Sequence, residues 1–131
     1  MGQTILLVDD HEKLRESFRD WLGVMLPGCS FLEARSGEEA VSLASAQQPD
    51  IVLMDVRMGT MNGIEATKQI KSASPDTQVV MLTIYDAESY RKDASQAGAS
   101  AYILKQRAHS ELVPLLEGLL GKAGEALPES A

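Results

Sequence analysis

Five short apolar runs alternate with amphipathic stretches along this chain, and that alternation limits the fold more than any other feature. The runs are Thr4–Val8, Ser30–Ala34, Asp50–Met54, Thr77–Thr83 and Ser100–Leu104. Most of their positions are apolar, so both faces of each strand need covering, as in a central parallel sheet flanked by helices. Glu33 interrupts Ser30–Ala34, which places that strand at an edge. Between the runs, Leu14, Phe18, Trp21, Leu22 and Met25 recur at steps of three and four and stop before Pro27 and Gly28. Ser36 to Glu39 opens a second helix carrying Ala40, Val41 and Ala44. Gly63 opens a third carrying Ile64, Thr67 and Ile70, and Pro49 and Pro75 punctuate the ends of these two helices. The fourth helical stretch, Ala87 to Ala97, has an apolar face of little more than Tyr90, Ala94 and Ala97, so it is expected to bury little and move easily. Ser110 is expected to cap the fifth helix, which carries Leu112, Val113, Leu115, Leu116, Leu119 and Leu120, with Pro114 tolerated in or near its first turn. Repeated strand–helix units of this kind predict an α/β fold, a doubly wound five-stranded parallel sheet with helices on both faces.

At 131 residues the chain has room for one such domain. The expected layout is a domain over 1–121 and a C-terminal tail or linker stub over 122–131, where periodicity fades and Gly and Pro enter. Lys and Arg number 12 against 19 Asp and Glu, and the net charge of −7 argues against direct nucleic-acid binding by this chain. Cys29 is alone, which excludes an intramolecular disulfide and a thiolate zinc site and fits a reduced, cytoplasmic setting. The apolar run Ile5 to Val8 meets Asp9 and Asp10 at once, so neither a signal peptide nor a membrane contact is expected.

In open parallel sheets, function gathers outside the carboxyl ends of the strands. There the sequence places Asp9 and Asp10 after the first strand, Asp55 after the third, Thr83 at the end of the fourth and Lys105 after the fifth. Each alone has an ordinary reading: a turn or cap for the acid pair, a strand residue for Thr83, a solvated charge for Lys105. Together they are a candidate site. Two carboxylates 4 Å apart repel by about 4 kcal/mol at an effective dielectric of about 20, so the three acids call for a compensating cation. Mg²⁺, with Mn²⁺ as a substitute, prefers such oxygen ligands. Three aspartates, a divalent ion and Lys105 sum to zero charge, a setting suited to phosphoryl transfer onto a carboxylate.

Ile-Leu-Leu-Val-Asp-Asp at 5–10, Ile-Val-Leu-Met-Asp-Val-Arg-Met at 51–58, Met-Asn-Gly at 61–63, Met-Leu-Thr at 81–83 and Ala-Gly-Ala-Ser-Ala-Tyr-Ile-Leu-Lys at 97–105 resemble the receiver domain of bacterial response regulators. The resemblance covers about Thr4 to Leu120, and the stretches after Met81 and around Tyr102 look most like receivers of LuxR/NarL-type transcriptional regulators. It implies a flavodoxin-like (βα)₅ sheet of strand order 2-1-3-4-5. By the same resemblance, Asp55 is the phosphoacceptor, and Asp9, Asp10, Asp55 and the backbone carbonyl of Arg57 are metal ligands. Lys105 and Thr83 then bind phosphoryl oxygens, and Tyr102 is an aromatic switch that turns with Thr83.

The implied partners are a sensor histidine kinase or histidine phosphotransfer protein, and a second copy meeting the face of the fourth helix, fifth strand and fifth helix. The chain is then a signalling switch rather than an enzyme with a separate substrate, and it regulates transcription through an attached or partner output domain. The alternative is a phosphorylation-independent interaction module with the same fold. It is prompted by Gly59, where such receivers usually have Pro, and by Ile84, where a small residue is common and a branched side chain could narrow access to Asp55. Gln106 likewise replaces a frequent Pro. A haloacid-dehalogenase-like phosphatase also uses a strand-end Asp, but position 57 holds Arg where that family needs a second Asp. No Gly-rich phosphate loop follows the first strand, and His11 and His109 have neither metal spacing nor a neighbouring nucleophile.

Overall fold

The computed structural model describes residues 2–125. Its strands are β1 (Gln3–Val8), β2 (Cys29–Ala34), β3 (Ile51–Met54), β4 (Gln78–Thr83) and β5 (Ala101–Leu104). Its helices are α1 (Glu12–Met25), α2 (Gly37–Gln47), α3 (Gly63–Ala73), α4 (Glu88–Ala97) and α5 (Ala108–Glu125). All strand pairs are parallel and run in the order β2-β1-β3-β4-β5, as expected, with β2 at an edge. Observed strand ends lie within one residue of the sequence reading.

Alternation along the strands divides the core in two. Leu6, Val8, Val52, Met54, Val79 and Met81 face Ala40 and Ala44 of α2, Ile64 and Ile70 of α3, and Ala94 and Ala97 of α4. Ile5, Leu7, Ile51, Leu53, Val80, Leu82 and Ile103 face Leu22 of α1 and Leu112 and Leu116 of α5. Helices therefore cover both faces, which is why the central strands read as nearly unbroken apolar runs. Register then lines up the strand ends: Val8 lies beside Ala34 and Met54, and Thr83 beside Leu104. The Asp9 N–H donates to the Ala34 carbonyl at 3.1 Å and the Asp55 N–H to the Val8 carbonyl at 3.2 Å. Both acids thus begin as continuations of the ladder.

Local chemistry starts α2 and α3 where the sequence predicts. Ser36 accepts from the Glu39 N–H at 3.0 Å while the Glu39 carboxylate reaches back to the Arg35 N–H at 2.8 Å, a reciprocal cap for α2. Asn62 accepts from the Glu65 N–H at 2.9 Å and starts α3. The entry to α4 has no side-chain cap, and only Ala94 and Ala97 of that helix are buried. The fifth helix corrects the reading of Ser110. A 3₁₀ turn over Lys105–Arg107 leads straight into α5 at Ala108, which is buried at its first position. Ser110 is therefore inside the helix, its hydroxyl donating to the Arg107 carbonyl at 3.3 Å, and Pro114 sits a turn deeper than expected. An early turn onto the sheet, rather than a polar cap, starts this helix. Its backbone continues to Glu125, past the boundary expected at 121, and the rest of the expected tail, 126–131, is outside the described residues.

Gly63 brings α3 against the site. A Cβ there would lie 1.9 Å from the Asp55 carbonyl oxygen, so only glycine permits this approach. Gly118, inside α5, has nothing within 4 Å of the corresponding position. Denaturant unfolding should separate the two: Gly63→Ala is expected to lose at least about 3 kcal/mol or to fail to fold, whereas Gly118→Ala should gain about 0.5–1 kcal/mol from helix propensity. Equal effects would contradict the packing described here.

Candidate functional site

The strand-end positions converge as the topology requires. Asp9 and Asp55 are buried and Asp10 is exposed, and one carboxylate oxygen from each lies within 4.8 Å of the others. Lys105, on the turn after β5, sends its ammonium between two of them: Nζ lies 2.6 Å from Asp9 Oδ2 and 3.1 Å from Asp55 Oδ2. Lys105 is thus shared between the two acids, with Asp9 at the shorter distance. Burial alone would lower the lysine pKa, but hydrogen bonding to Asp9 and the charges of Asp55 and Asp9 outweigh it and hold the ammonium above its ordinary value.

Burial pushes the Asp55 carboxyl above the ordinary range, and the Asp9 charge adds to that; Lys105 and, more weakly, the Thr83 hydroxyl oppose it without cancelling it. Asp55 Oδ1 is buried without a hydrogen-bond partner. A buried acceptor left open in this way carries a desolvation penalty of about 1–3 kcal/mol unless something binds it. An unpartnered oxygen and three converging carboxylates are an all-oxygen donor set with net negative charge, which fits a hard divalent cation.

Asp9 is held by its surroundings. Its Oδ1 accepts from the His11 N–H at 2.9 Å, and its main-chain oxygen accepts from Arg15 Nη1 at 2.7 Å. His11 Nδ1 in turn caps α1 by accepting from the Leu14 N–H at 3.3 Å, a structural role the sequence reading did not assign it. Arg57 lies in the exposed loop after β3 with its guanidinium 5.3 Å from the centre of the Tyr85 ring. Gly59 in that loop has a φ of +40°, a conformation proline cannot adopt, so the glycine matches the loop built here. Glu38 accepts from the Thr60 hydroxyl at 2.6 Å and ties the same loop to α2.

Thr83 is fully buried at the end of β4, its hydroxyl accepting a long hydrogen bond of 3.4 Å from the Tyr85 N–H. Ile84 is 58% exposed. Tyr102 is half-buried, and its hydroxyl donates to the Tyr85 carbonyl at 2.6 Å, so its ring already ties β5 to the loop between β4 and α4. Arg91 of α4 lies 4.7 Å from the centre of that ring and pairs with Asp86 at 2.8 Å. Tyr85 and Arg91 were not singled out by the sequence. A tyrosine two residues beyond Thr83 was the only available signal.

Comparison with known proteins identifies the family of this chain. The family model for the response regulator receiver domain matches residues 5–117. The transcriptional regulatory protein YxjL of Bacillus subtilis, itself described as uncharacterized, is 37% identical over 94% of this chain and 56% of its own length. The response regulator protein VraR of Staphylococcus aureus is 41% identical over 82% of this chain and 52% of its own length. A solved LuxR-family two-component response regulator from Aurantimonas sp. SI85-9A1 superposes with a TM-score of 0.85 at 34% identity, over 92% of this chain and 87% of that one. The chain spans about half the length of the curated relatives it matches.

The raised Asp55 carboxyl has a defined sign for stability. Its pKa is higher folded than unfolded, so ionised Asp55 opposes folding above the ordinary carboxylate range, and that opposition is relieved as pH falls and the group protonates. In chelator-treated buffer, Asp55→Asn should therefore melt above the wild type near neutral pH, with the gap closing toward about pH 4. Thermal unfolding followed by circular dichroism checks this, and a variant melting below the wild type at neutral pH would refute it.

Proposed function

Because the chain belongs to the response regulator receiver family, we propose that Asp55 accepts a phosphoryl group from a phosphohistidine donor and that its phosphorylation switches a surface built by α4, β5 and α5. The observation that carries this reading is the buried Asp55 carboxylate, with Oδ1 unpartnered and Oδ2 3.1 Å from Lys105 Nζ. Asp55 supplies the nucleophilic oxygen: its bond to phosphorus forms as the bond from phosphorus to the donor imidazole nitrogen breaks. The imidazole leaves neutral once it is protonated.

Lys105 is already within reach of both Asp9 and Asp55 and can follow a transferred oxygen with little movement. The Thr83 hydroxyl, which accepts a long 3.4 Å bond from the Tyr85 N–H, is available to a second phosphoryl oxygen. Asp9, Asp10, Asp55 and the main-chain carbonyl of Arg57 would hold a divalent ion, Mg²⁺ or Mn²⁺, which supplies positive charge against the phosphoryl oxygens. Since positioning and charge neutralisation dominate phosphoryl transfer, these residues suffice without a general base on the acceptor.

If Thr83 moves toward the phosphoryl group, its contact with the Tyr85 N–H is lost, and Tyr85 is the residue whose carbonyl holds Tyr102. The lack of a side-chain cap on α4 and the small area it buries make it the element whose position such a change can bias. We assign residues 1–121 to the receiver core, with α5 carrying the backbone on to Glu125 ahead of a linker, place the chain in the cytoplasm and assign it a histidine kinase or phosphotransfer protein as donor. Homodimerisation through the α4-β5-α5 face and transcriptional output through a DNA-binding partner or domain complete the reading. Two relatives' names point to regulatory output. Among the described residues no helix is long and apolar enough to cross a membrane.

With Mg²⁺ and a small-molecule phosphodonor, intact-mass measurement should show one added phosphoryl group on the wild type and none on Asp55→Asn. Lys105→Ala is expected to slow the labelling by about 10²-fold or more. An unlabelled wild type, or an Asp55→Asn chain that labels normally, would remove the proposal.

A further inference from the structure

Glu33 is the charged residue that breaks an otherwise apolar edge strand, and the site as described so far makes no use of it. It lies opposite Leu7 in the β1–β2 register, on the sheet face covered by α1. There its carboxylate takes a hydrogen bond from Arg15 Nε at 2.7 Å and a second, short one from Arg19 Nη1. Burial pushes the Glu33 carboxyl up, but the two guanidiniums outweigh it and hold the group below its ordinary range. Arg15 is itself deeply set, with only 10% of its side chain exposed. Its other arm is not spent on a second carboxylate: Nη1 donates to the main-chain oxygen of Asp9 at 2.7 Å.

That oxygen belongs to the peptide joining Asp9 to Asp10. Its orientation sets the direction in which the Asp10 side chain leaves the backbone. Asp10 is exposed, so the direction of its carboxylate depends on how the turn is held. The Asp9 side chain is fixed separately, by the His11 N–H and by Lys105. A planar guanidinium can grip the Glu33 carboxylate and a carbonyl at once, which an ammonium does poorly.

We propose that Arg15, anchored by Glu33, is a positioning residue that orients the Asp9–Asp10 turn and so tunes the affinity of the acid cluster for a divalent cation. The proposal rests on the metal reading of the site given above and assigns Arg15 no contact with the ion. Carbonyls and side chains that orient metal ligands commonly change affinity by about 10–100-fold when removed.

Charge and orientation predict opposite signs here. Arg15 is a cation bonded to the main chain of one of the three acids, so removing it on electrostatic grounds alone would tighten binding of a divalent ion. Positioning predicts weaker binding. Mn²⁺ titration of the full chain, followed by electron paramagnetic resonance, should show the dissociation constant rising about tenfold in Arg15→Met. Arg15→Lys, which keeps the charge and loses the fork, should weaken binding while the thermal midpoint stays near that of the wild type. Glu33→Gln should weaken it less, and the Arg15→Met/Glu33→Gln double variant no more than Arg15→Met alone, because both act through one link. The double variant also avoids leaving Glu33 charged beside a missing partner, so it reports if Arg15→Met does not fold. Labelling by the phosphodonor at saturating Mg²⁺ should be near the wild-type rate in every variant, since the acceptor is untouched.

Unchanged or tighter Mn²⁺ binding in Arg15→Met, or fully additive effects of the two substitutions, would overturn the inference and leave the receiver reading intact. A wild type that binds no Mn²⁺ would bring down the metal reading and this inference with it.

Discussion

A single ammonium bridges two buried carboxylates at the carboxyl edge of the sheet, and the arrangement of the site depends on it. Asp9 and Asp55 follow neighbouring strands, β1 and β3, whose register forces the acids together whatever their charge. Without Lys105 they would be two desolvated anions with no compensation, an arrangement proteins avoid by pairing or protonation. The lysine arrives from β5, 96 positions from Asp9 and separated from β1 by two strands, so β1, β3, β4 and β5 must be assembled before the pair is neutralised. Even then the compensation is incomplete: Asp55 remains shifted upward, with one oxygen unpartnered. The fold thus holds a carboxylate in a state that added positive charge would relieve.

The same incompleteness marks the far end of the site. Central strands and α1, α3 and α5 are anchored by large buried side chains, while α4 buries two alanines and lacks a side-chain cap. Its position depends on a polar and aromatic set: Tyr102 bonded to the Tyr85 carbonyl, Arg91 over the Tyr102 ring, Arg91 paired with Asp86, and Tyr90 edge-on to Tyr85. Such contacts are individually modest, so a change at Thr83 competes with interactions of comparable size rather than with a packed core.

How much of this could be read in the residues varies with the range of the interaction. Strand number, helix faces and the Ser36 cap came from spacings within one element and needed nothing further. The strand-end rule collected Asp9, Asp10, Asp55, Thr83 and Lys105 because a parallel sheet sends every strand's carboxyl end to one side. Ser110 misled because a good cap residue was judged without the 3₁₀ turn before it, and burial of Ala108 won over side-chain capping. Glu33 was noticed as an interruption, and its reason became visible only with Arg15 and Arg19 beside it. Gly59 reads as a departure from the family habit, yet a φ of +40° is one that glycine adopts freely and proline cannot.

The sequence by itself determined the alternation of strands and helices, the two-sided burial of the strands and the identity of the groups at the strand ends. These follow from local periodicity and chain order, which any parallel arrangement must respect. Only the tertiary structure decided that Lys105 lies closer to Asp9 than to Asp55, that Asp55 keeps an open oxygen, that Tyr102 grips the Tyr85 carbonyl and that Arg15 spans Glu33 and Asp9. Each of these turns on where a side chain sits relative to groups on other elements, to within a few tenths of an ångström. Such distances are set by register, helix placement and rotamer together, and no spacing along the chain encodes them.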